Sequence, residues 1–151
     1  MITATIVDDE PFCCESLATL LEKYCPEVKV LDVCYSAADA LQSVHQHKPQ
    51  ILFLDIEMPH MTGFDLLERI PSIDFELIFT TSYDKYAIKA IRFSALDYLL
   101  KPIDRDDLKK AIQIAVQRLK SPLPQQLEIL LHKLNQFVIE QITSNKINVF
   151  K

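Results

Sequence analysis

The sequence predicts an α/β fold, with one open, doubly wound, five-stranded parallel sheet and helices on both of its faces. Short apolar segments alternate five times with helical patterns. The segment ILFL at residues 51–54 is apolar at every position, as expected of a strand buried on both faces of a parallel sheet. Right-handed crossovers between such strands produce the doubly wound arrangement.

The five strand–helix units follow one another along the first 120 residues. Helix patterns follow each strand, and the last of them runs from about Asp104 to Leu119 with an apolar inner face. Ser36 is the expected N-cap of the second helix, because its hydroxyl can accept a hydrogen bond from the first turn. We expect the strands at residues 2–7, 28–33, 51–54, 76–81 and 97–100.

The composition is that of a globular domain and excludes several classes of binding protein. The chain has 151 residues, 49% hydrophobic and 25% charged, enough for one globular domain with a short appendage. Its net charge of −5 argues against direct binding to nucleic acid. Gly63 is the single glycine, which excludes a Walker loop and a dinucleotide-binding fingerprint. No signal peptide or long apolar run is visible, so we expect a cytoplasmic protein without membrane contact.

The four cysteines show neither a CxxC pair nor histidines at metal-ligand spacing. We interpret them as reduced thiols, most of them buried. They are Cys13, Cys14, Cys25 and Cys34.

Residues 121–151 differ from the preceding units. Pro122 and Pro124 interrupt the pattern, which places a domain over residues 1–120. The amphipathic stretch that follows spans only about two heptads, too few to predict a coiled coil. It either packs on its own domain or forms a linker or dimerisation helix leading to an effector domain. Its apolar positions are Leu127, Leu130, Leu131, Leu134, Phe137 and Val138.

Polar residues stand where four of the strands end. Asp8 and Asp9 follow the first strand, Asp55 the third and Lys101 the fifth, while Thr81 ends the fourth. In a doubly wound sheet these ends converge on one edge. Clustered carboxylates resist ionising together, and a divalent cation such as Mg²⁺ removes that conflict. Lysine and threonine can bind phosphate oxygens, which leaves an aspartate free to act as a nucleophile.

Four segments resemble the response-regulator receiver family, in order and over residues 1–120, which implies a flavodoxin-like receiver fold. Two of them, YDKYAIKAI and ALDYLLKP, also resemble receivers attached to LytTR-type DNA-binding domains. The four segments are VDDE (7–10), FLDIEMPHMTGFDLL (53–67), FTTSYDKYAIKAI (79–91) and ALDYLLKP (95–102).

The resemblance implies a role for each matching acidic residue. Asp55 would be the phosphoacceptor. Asp9, Asp55 and the backbone carbonyl of Glu57 would bind Mg²⁺ directly, and Asp8 would act mainly through a metal-bound water.

It also implies roles on the phosphate side of the site. Thr81 and Lys101 would bind the phosphoryl group, and Tyr98 would turn inward as Thr81 moves. Lys101–Pro102 resembles a cis peptide of the family. Gly63 matches a loop glycine, and we expect it to occupy a turn that needs positive φ.

The function implied is a signalling switch that accepts its phosphoryl group from a sensor histidine kinase. It would not turn over a separate substrate, but would promote its own phosphotransfer and autodephosphorylation. A homodimer could form through residues 84–119 or 125–140, and DNA would be bound only by an effector domain beyond residue 151.

Two alternatives stay open. The chain could be an interaction module with a receiver fold that acts without phosphorylation. It could also be a Mg²⁺-dependent phosphohydrolase with an aspartate nucleophile, for which Glu57 is the one evident acid/base candidate.

Overall fold

The computed structural model describes residues 1–120 and 125–144, and it contains the five expected strands. Pro122 and Pro124 of the expected linker, and residues 145–151, lie outside the described residues. The strands are β1 (Ile2–Val7), β2 (Val28–Cys34), β3 (Ile51–Leu54), β4 (Glu76–Thr81) and β5 (Asp97–Leu100). The helices are α1 (Pro11–Tyr24), α2 (Ala37–His47), α3 (Gly63–Arg69), α4 (Ala87–Arg92), α5 (Arg105–Lys120) and α6 (Gln125–Ser144).

All strand pairs are parallel, in the order β2-β1-β3-β4-β5. This confirms the doubly wound five-stranded sheet. The strand order reverses between β1 and β3, and in such sheets a crevice opens at that point, beyond the carboxyl ends of the strands.

Two apolar clusters cover the two faces of the sheet. The first packs α1 and α5 against one face, and the second packs α2, α3 and α4 against the other. Strand β3 is fully buried between them, as its continuous apolar sequence predicts. Three of the cysteines are buried and Cys13 is half-buried, and all four are unpaired thiols.

Local sequence signals explain several element boundaries. The Ser36 hydroxyl accepts a hydrogen bond from the Asp39 backbone N–H at 3.1 Å, which confirms the N-cap of α2. Thr62 and Asp65 form a reciprocal capping box at the start of α3. The helical pattern between β4 and β5 is divided into a 3₁₀ turn at Asp84–Tyr86 and the short α4.

Helix α6 confirms the helical extension and lies against α4. It does so with only part of its apolar surface, because Ile139 is buried while Leu130, Leu134 and Phe137 are all more than half exposed. Across residues 1–120 and 125–144, no helix has both the length and the apolar character that crossing a membrane requires.

Candidate phosphoacceptor and metal site

Three carboxylates meet at the crevice between β1 and β3. Asp8 and Asp9 directly follow β1, and Asp55 directly follows β3. Val7 is in register with Leu54, and the Asp55 backbone N–H donates to the Val7 carbonyl at 2.9 Å. This parallel pairing places one carboxylate oxygen from each aspartate within 4.8 Å of the others. The structure therefore brings together the acidic residues of two separate loops.

Lys101 supplies the opposite charge from the end of β5. Its backbone N–H donates to the Thr81 carbonyl at 2.8 Å, and the Lys101–Pro102 peptide is cis, as the resemblance implies. The Nζ atom lies 2.5 Å from Asp8 Oδ2 and 3.6 Å from Asp55 Oδ2. Burial by itself would lower the pKa of this ammonium, but the hydrogen bond to Asp8 and the charge of Asp55 outweigh it and raise the pKa. Lys101 thus stays charged at neutral pH.

The environment of Asp55 opposes its ionisation. Burial, followed by repulsion from the Asp8 carboxylate, raises the pKa of Asp55 from 3.8 to about 7, although Lys101 acts in the opposite direction. A single lysine does not compensate two buried carboxylates and a third beside them. The site therefore carries an excess of negative charge that a further cation would neutralise.

The donor set suits Mg²⁺. Its ligand atoms are all oxygens, and Mg²⁺ prefers a few carboxylates together with water and phosphate oxygens. Among the described residues, Asp8, Asp9 and Asp55 are the one group of three acidic, histidine or cysteine side chains close enough to share an ion. The predicted role of the Glu57 carbonyl stays a prediction.

Thr81 and Tyr98 are connected through a single residue of the following loop. The buried Thr81 hydroxyl oxygen accepts from the Tyr83 backbone N–H at 3.3 Å. The Tyr98 hydroxyl donates to the Tyr83 carbonyl, and its ring lies 6.2 Å from that of Phe79. A movement of Thr81 would therefore change the hydrogen bond of Tyr98, because both residues bind the backbone of Tyr83.

Gly63 was expected to occupy a turn that needs positive φ, and this expectation was wrong. The backbone of Gly63 is not in the positive-φ region, which in this loop is occupied by His60 at φ 70°. Glycine is needed because a Cβ at position 63 would lie 2.5 Å from the Asp55 carbonyl oxygen. Its N–H donates to the Ile56 carbonyl at 2.8 Å, so α3 starts in direct contact with the Asp55 loop.

A second set of contacts, around Glu57, was not predicted from the sequence. The Tyr86 hydroxyl donates to its carboxylate, and Lys85 Nζ lies 3.7 Å from the same oxygen. Lys85 also lies over the rings of Tyr83 and Tyr86, at 5.2 and 5.0 Å from their centroids. These contacts join the loop after β3 to the loop after β4, which only the folded chain brings together.

A cavity of about 730 Å³ lies beside the carboxylates, between α1 and the loop after β5. Phe12 on its rim is 77% exposed, although it stands in the first turn of α1. Asp8 and Lys101 line the end of the cavity near the site.

Known proteins resemble this chain over the same region. Residues 4–113 match the family described as response regulator receiver domain. An uncharacterised response regulatory protein of Shewanella oneidensis is 42% identical over 114 residues, which are 75% of this chain and 48% of that protein. The transcriptional regulatory protein BtsR of Escherichia coli K12 is 40% identical over 116 residues, 74% and 47% of the two chains. The chain spans about half the length of these curated relatives.

Solved structures of receiver domains have the same fold as this chain. The response regulatory domain of mrkE from Klebsiella pneumoniae superposes with a TM-score of 0.72 at 23% identity, over 79% of this chain and 98% of that one. The receiver domain of AraT from Geobacillus stearothermophilus gives 0.69 at 29% identity, over 79% and 95%. Members of this family bind Mg²⁺ at an acidic pocket and interact with histidine kinases and effector domains. The chain belongs to the response regulator receiver family and is a receiver domain of two-component signalling.

Proposed function

We propose that Asp55 accepts a phosphoryl group from the phosphohistidine of a sensor histidine kinase. The observation that carries this proposal is the meeting of Asp8, Asp9 and Asp55 at distances that suit a shared cation, with Lys101 beside two of them. A carboxylate oxygen of Asp55 would form the new P–O bond while the P–N bond to the histidine breaks. The histidine nitrogen keeps the electron pair of the broken bond.

Asp8, Asp9, Asp55 and the Glu57 carbonyl are the proposed holders of Mg²⁺. When bound, the ion would supply positive charge that offsets the carboxylates and the phosphoryl oxygens. Its presence would favour the ionised form of Asp55, which is the nucleophilic form.

Lys101 and Thr81 are the proposed ligands of the transferred group. The Lys101 ammonium already contacts Asp8 and lies within 3.6 Å of Asp55, so it needs little movement to reach an oxygen on a phosphorylated Asp55. The Thr81 hydroxyl hydrogen is free to turn toward a phosphoryl oxygen while its oxygen still accepts from Tyr83.

The output would start from the same contacts. Movement of Thr81 would change the backbone at Tyr83, the hydrogen bond from Tyr98 and then the surface formed by residues 84–100. We infer that this surface passes the signal to a LytTR-type DNA-binding domain and so regulates transcription in the cytoplasm. The lengths of the relatives and the name of BtsR, a transcriptional regulatory protein, support an output domain of this kind.

Acetyl phosphate with Mg²⁺ and intact-mass measurement test the proposal. Wild type should gain the mass of one phosphoryl group, and chelating the metal should abolish the gain. Asp55→Asn should gain none, whereas the control Asp39→Asn, an exposed carboxylate on α2, should behave as wild type. Equal phosphorylation of Asp55→Asn would refute the assignment of the phosphoacceptor.

A further inference from the structure

The loop after β3 and the loop after β4 are joined at the carboxylate of Glu57. The Tyr86 hydroxyl donates to Glu57 Oε1, and Lys85 Nζ lies 3.7 Å from the same oxygen. Glu57 and Tyr86 are 29 positions apart in the sequence, so only the folded chain creates this contact. A hydrogen bond to a carboxylate is stronger than one between neutral groups. We call the hydrogen bond from Tyr86 to Glu57 the loop brace.

Tyr86 is the firmly held partner of Glu57, and Lys85 adds little. The Tyr86 ring packs edge-on against the ring of Phe64, at 5.9 Å between centroids. Phe64 belongs to α3, is buried, and stacks at 5.4 Å on Phe93 at the end of α4. The side chain of Lys85 is 55% exposed, and ion pairs at such exposure contribute little. The Tyr86 hydroxyl should therefore decide where the carboxylate lies.

The backbone around Glu57 is held on its other side by the site itself. The Asp55 N–H donates to the Val7 carbonyl at 2.9 Å, and the Gly63 N–H donates to the Ile56 carbonyl at 2.8 Å. Glu57 follows Ile56 directly, and the loop brace holds it through its side chain. Residues 55–57 are thus fixed in turn by β1, by the start of α3 and by the loop after β4.

We propose that Tyr86 is a positioning residue for Mg²⁺ that acts through Glu57. This inference rests on the proposed function, in which the Glu57 backbone carbonyl is one of the oxygens that hold the ion. Mg²⁺ demands nearly ideal octahedral geometry, so its affinity depends on where each oxygen lies. The loop brace narrows the range of positions open to Glu57, and an oxygen already in place loses less conformational entropy on binding.

Isothermal titration calorimetry of the 151-residue chain with magnesium chloride tests this inference. Tyr86→Phe removes the hydroxyl, keeps the ring against Phe64 and alters no charge near the site. Its dissociation constant for Mg²⁺ should rise roughly tenfold, the lower end of the loss that follows removal of a group supporting a metal ligand. Tyr35→Phe, the same change at an exposed tyrosine after β2, should bind Mg²⁺ as wild type does.

A double-mutant cycle with Glu57→Ala distinguishes positioning through Glu57 from a general effect on the fold. Glu57→Ala keeps the backbone carbonyl but removes the acceptor of the loop brace. In that background, Tyr86→Phe should cause no further loss of Mg²⁺ affinity. Amide hydrogen exchange of the metal-free protein gives a second readout. Residues 57–62 should exchange faster in Tyr86→Phe than in wild type, and at the wild-type rate in Tyr35→Phe.

The possible outcomes separate this inference from the proposed function. Equal Mg²⁺ affinity in wild type and Tyr86→Phe would overturn the inference and leave the proposed metal site intact. An equally large loss in the Glu57→Ala background, or unchanged exchange of residues 57–62, would also overturn it, because Tyr86 would not act by holding Glu57. Wild type that binds no Mg²⁺ would refute the proposed metal site itself, and the inference with it.

Discussion

Asp55 is a buried carboxyl group beside a second buried carboxylate, that of Asp8. This environment opposes the ionisation of Asp55. The nearby Lys101 offsets part of the repulsion from Asp8 but leaves the pKa of Asp55 at about 7. In the proposed function, bound Mg²⁺ would favour the ionised form of Asp55 and would so link the proposed nucleophile to the cation. Without metal, ionisation of Asp55 therefore lowers the stability of the folded chain.

Asp55→Asn should stabilise the metal-free protein at alkaline pH. The pKa of Asp55 is higher in the folded chain than its ordinary value of 3.8, so the folded state binds more protons than the unfolded state between about pH 4 and 7. Wild-type stability should fall as the pH rises through that window, by on the order of 2–4 kcal/mol. Asparagine has no such charge, so the variant should be more stable than wild type near pH 8.

Urea denaturation in a chelating buffer measures this difference at several pH values. The gap should close toward about pH 4, where the folded wild type is protonated at position 55, and Mg²⁺ should narrow it near pH 8. Glu68→Gln, an exposed carboxylate on α3, serves as the control. If Asp55→Asn were no more stable than wild type at pH 8, the raised pKa of Asp55 would be contradicted.

Tyr83→Ala should shorten the lifetime of the phosphorylated state. Tyr83 lies two residues after Thr81, and its ring lies 6.3 Å from that of Tyr86, whose hydroxyl donates to Glu57. A bulky side chain at this place would keep hydrolytic water from the acyl phosphate. The phosphoryl half-life, followed by intact mass after removal of the donor, should fall several-fold in Tyr83→Ala and stay unchanged in Tyr35→Ala, an exposed tyrosine after β2. An unchanged half-life in Tyr83→Ala would rule the idea out.

At the scale of the elements, helix α3 and the Asp55 loop form one unit. The Gly63 N–H binds the Ile56 carbonyl, and the capping box of Thr62 and Asp65 fixes the start of the helix. Asp55 is thus positioned from both sides, by its strand before it and by the start of α3 after it.

Gly63→Ala should lower both stability and phosphorylation, although alanine is the better helix former. Helix propensity alone would favour alanine by roughly 0.5–1 kcal/mol. The added Cβ would lie 2.5 Å from the Asp55 carbonyl oxygen and 3.2 Å from the Ile56 Cα, both backbone atoms that cannot turn away. The Asp55 loop must therefore shift.

Urea denaturation and the rate of acetyl-phosphate labelling measure the two effects of Gly63→Ala. Glu68→Ala, at an exposed position of the same helix, should change the free energy of unfolding by less than about 0.5 kcal/mol. A Gly63→Ala protein as stable and as readily labelled as wild type would show that the close contact does not constrain the site.

Considered as a whole, the molecule is a three-layered receiver body, with helices on both faces of one sheet, and an added helix. Both apolar clusters are built from residues no later than Val116. Helix α6 contacts α4. Helix α4 comes shortly after Tyr83, the loop residue that is hydrogen-bonded to both Thr81 and Tyr98. Movement of that loop therefore has a short physical route to α6.

The fragment 1–120 should fold and accept a phosphoryl group without α6. Its denaturation should be a single cooperative transition, because both clusters and the candidate site lie within it. A fragment that unfolds, or one that folds but accepts no phosphoryl group, would contradict this division of the chain.

The sequence by itself determined the strands, the helices and the strand ends at which the polar site residues stand. Apolar periodicity is local, so it predicts β3 as a buried strand and α5 as a one-sided helix without any knowledge of their neighbours. Sequence order with right-handed crossovers then predicts that Asp9, Asp55 and Lys101 converge. The placement of these residues is confirmed, while their roles stay predictions.

Only the tertiary structure decided the features that depend on contacts between distant segments. The ion pair of Lys101 with Asp8 joins residues 93 positions apart. The requirement for Gly63 comes from the approach of the Asp55 backbone, not from its own φ. The face of α6 that meets α4 is likewise not the most apolar one. Periodicity shows that a side chain is apolar, but burial depends on which surface the rest of the fold brings against it.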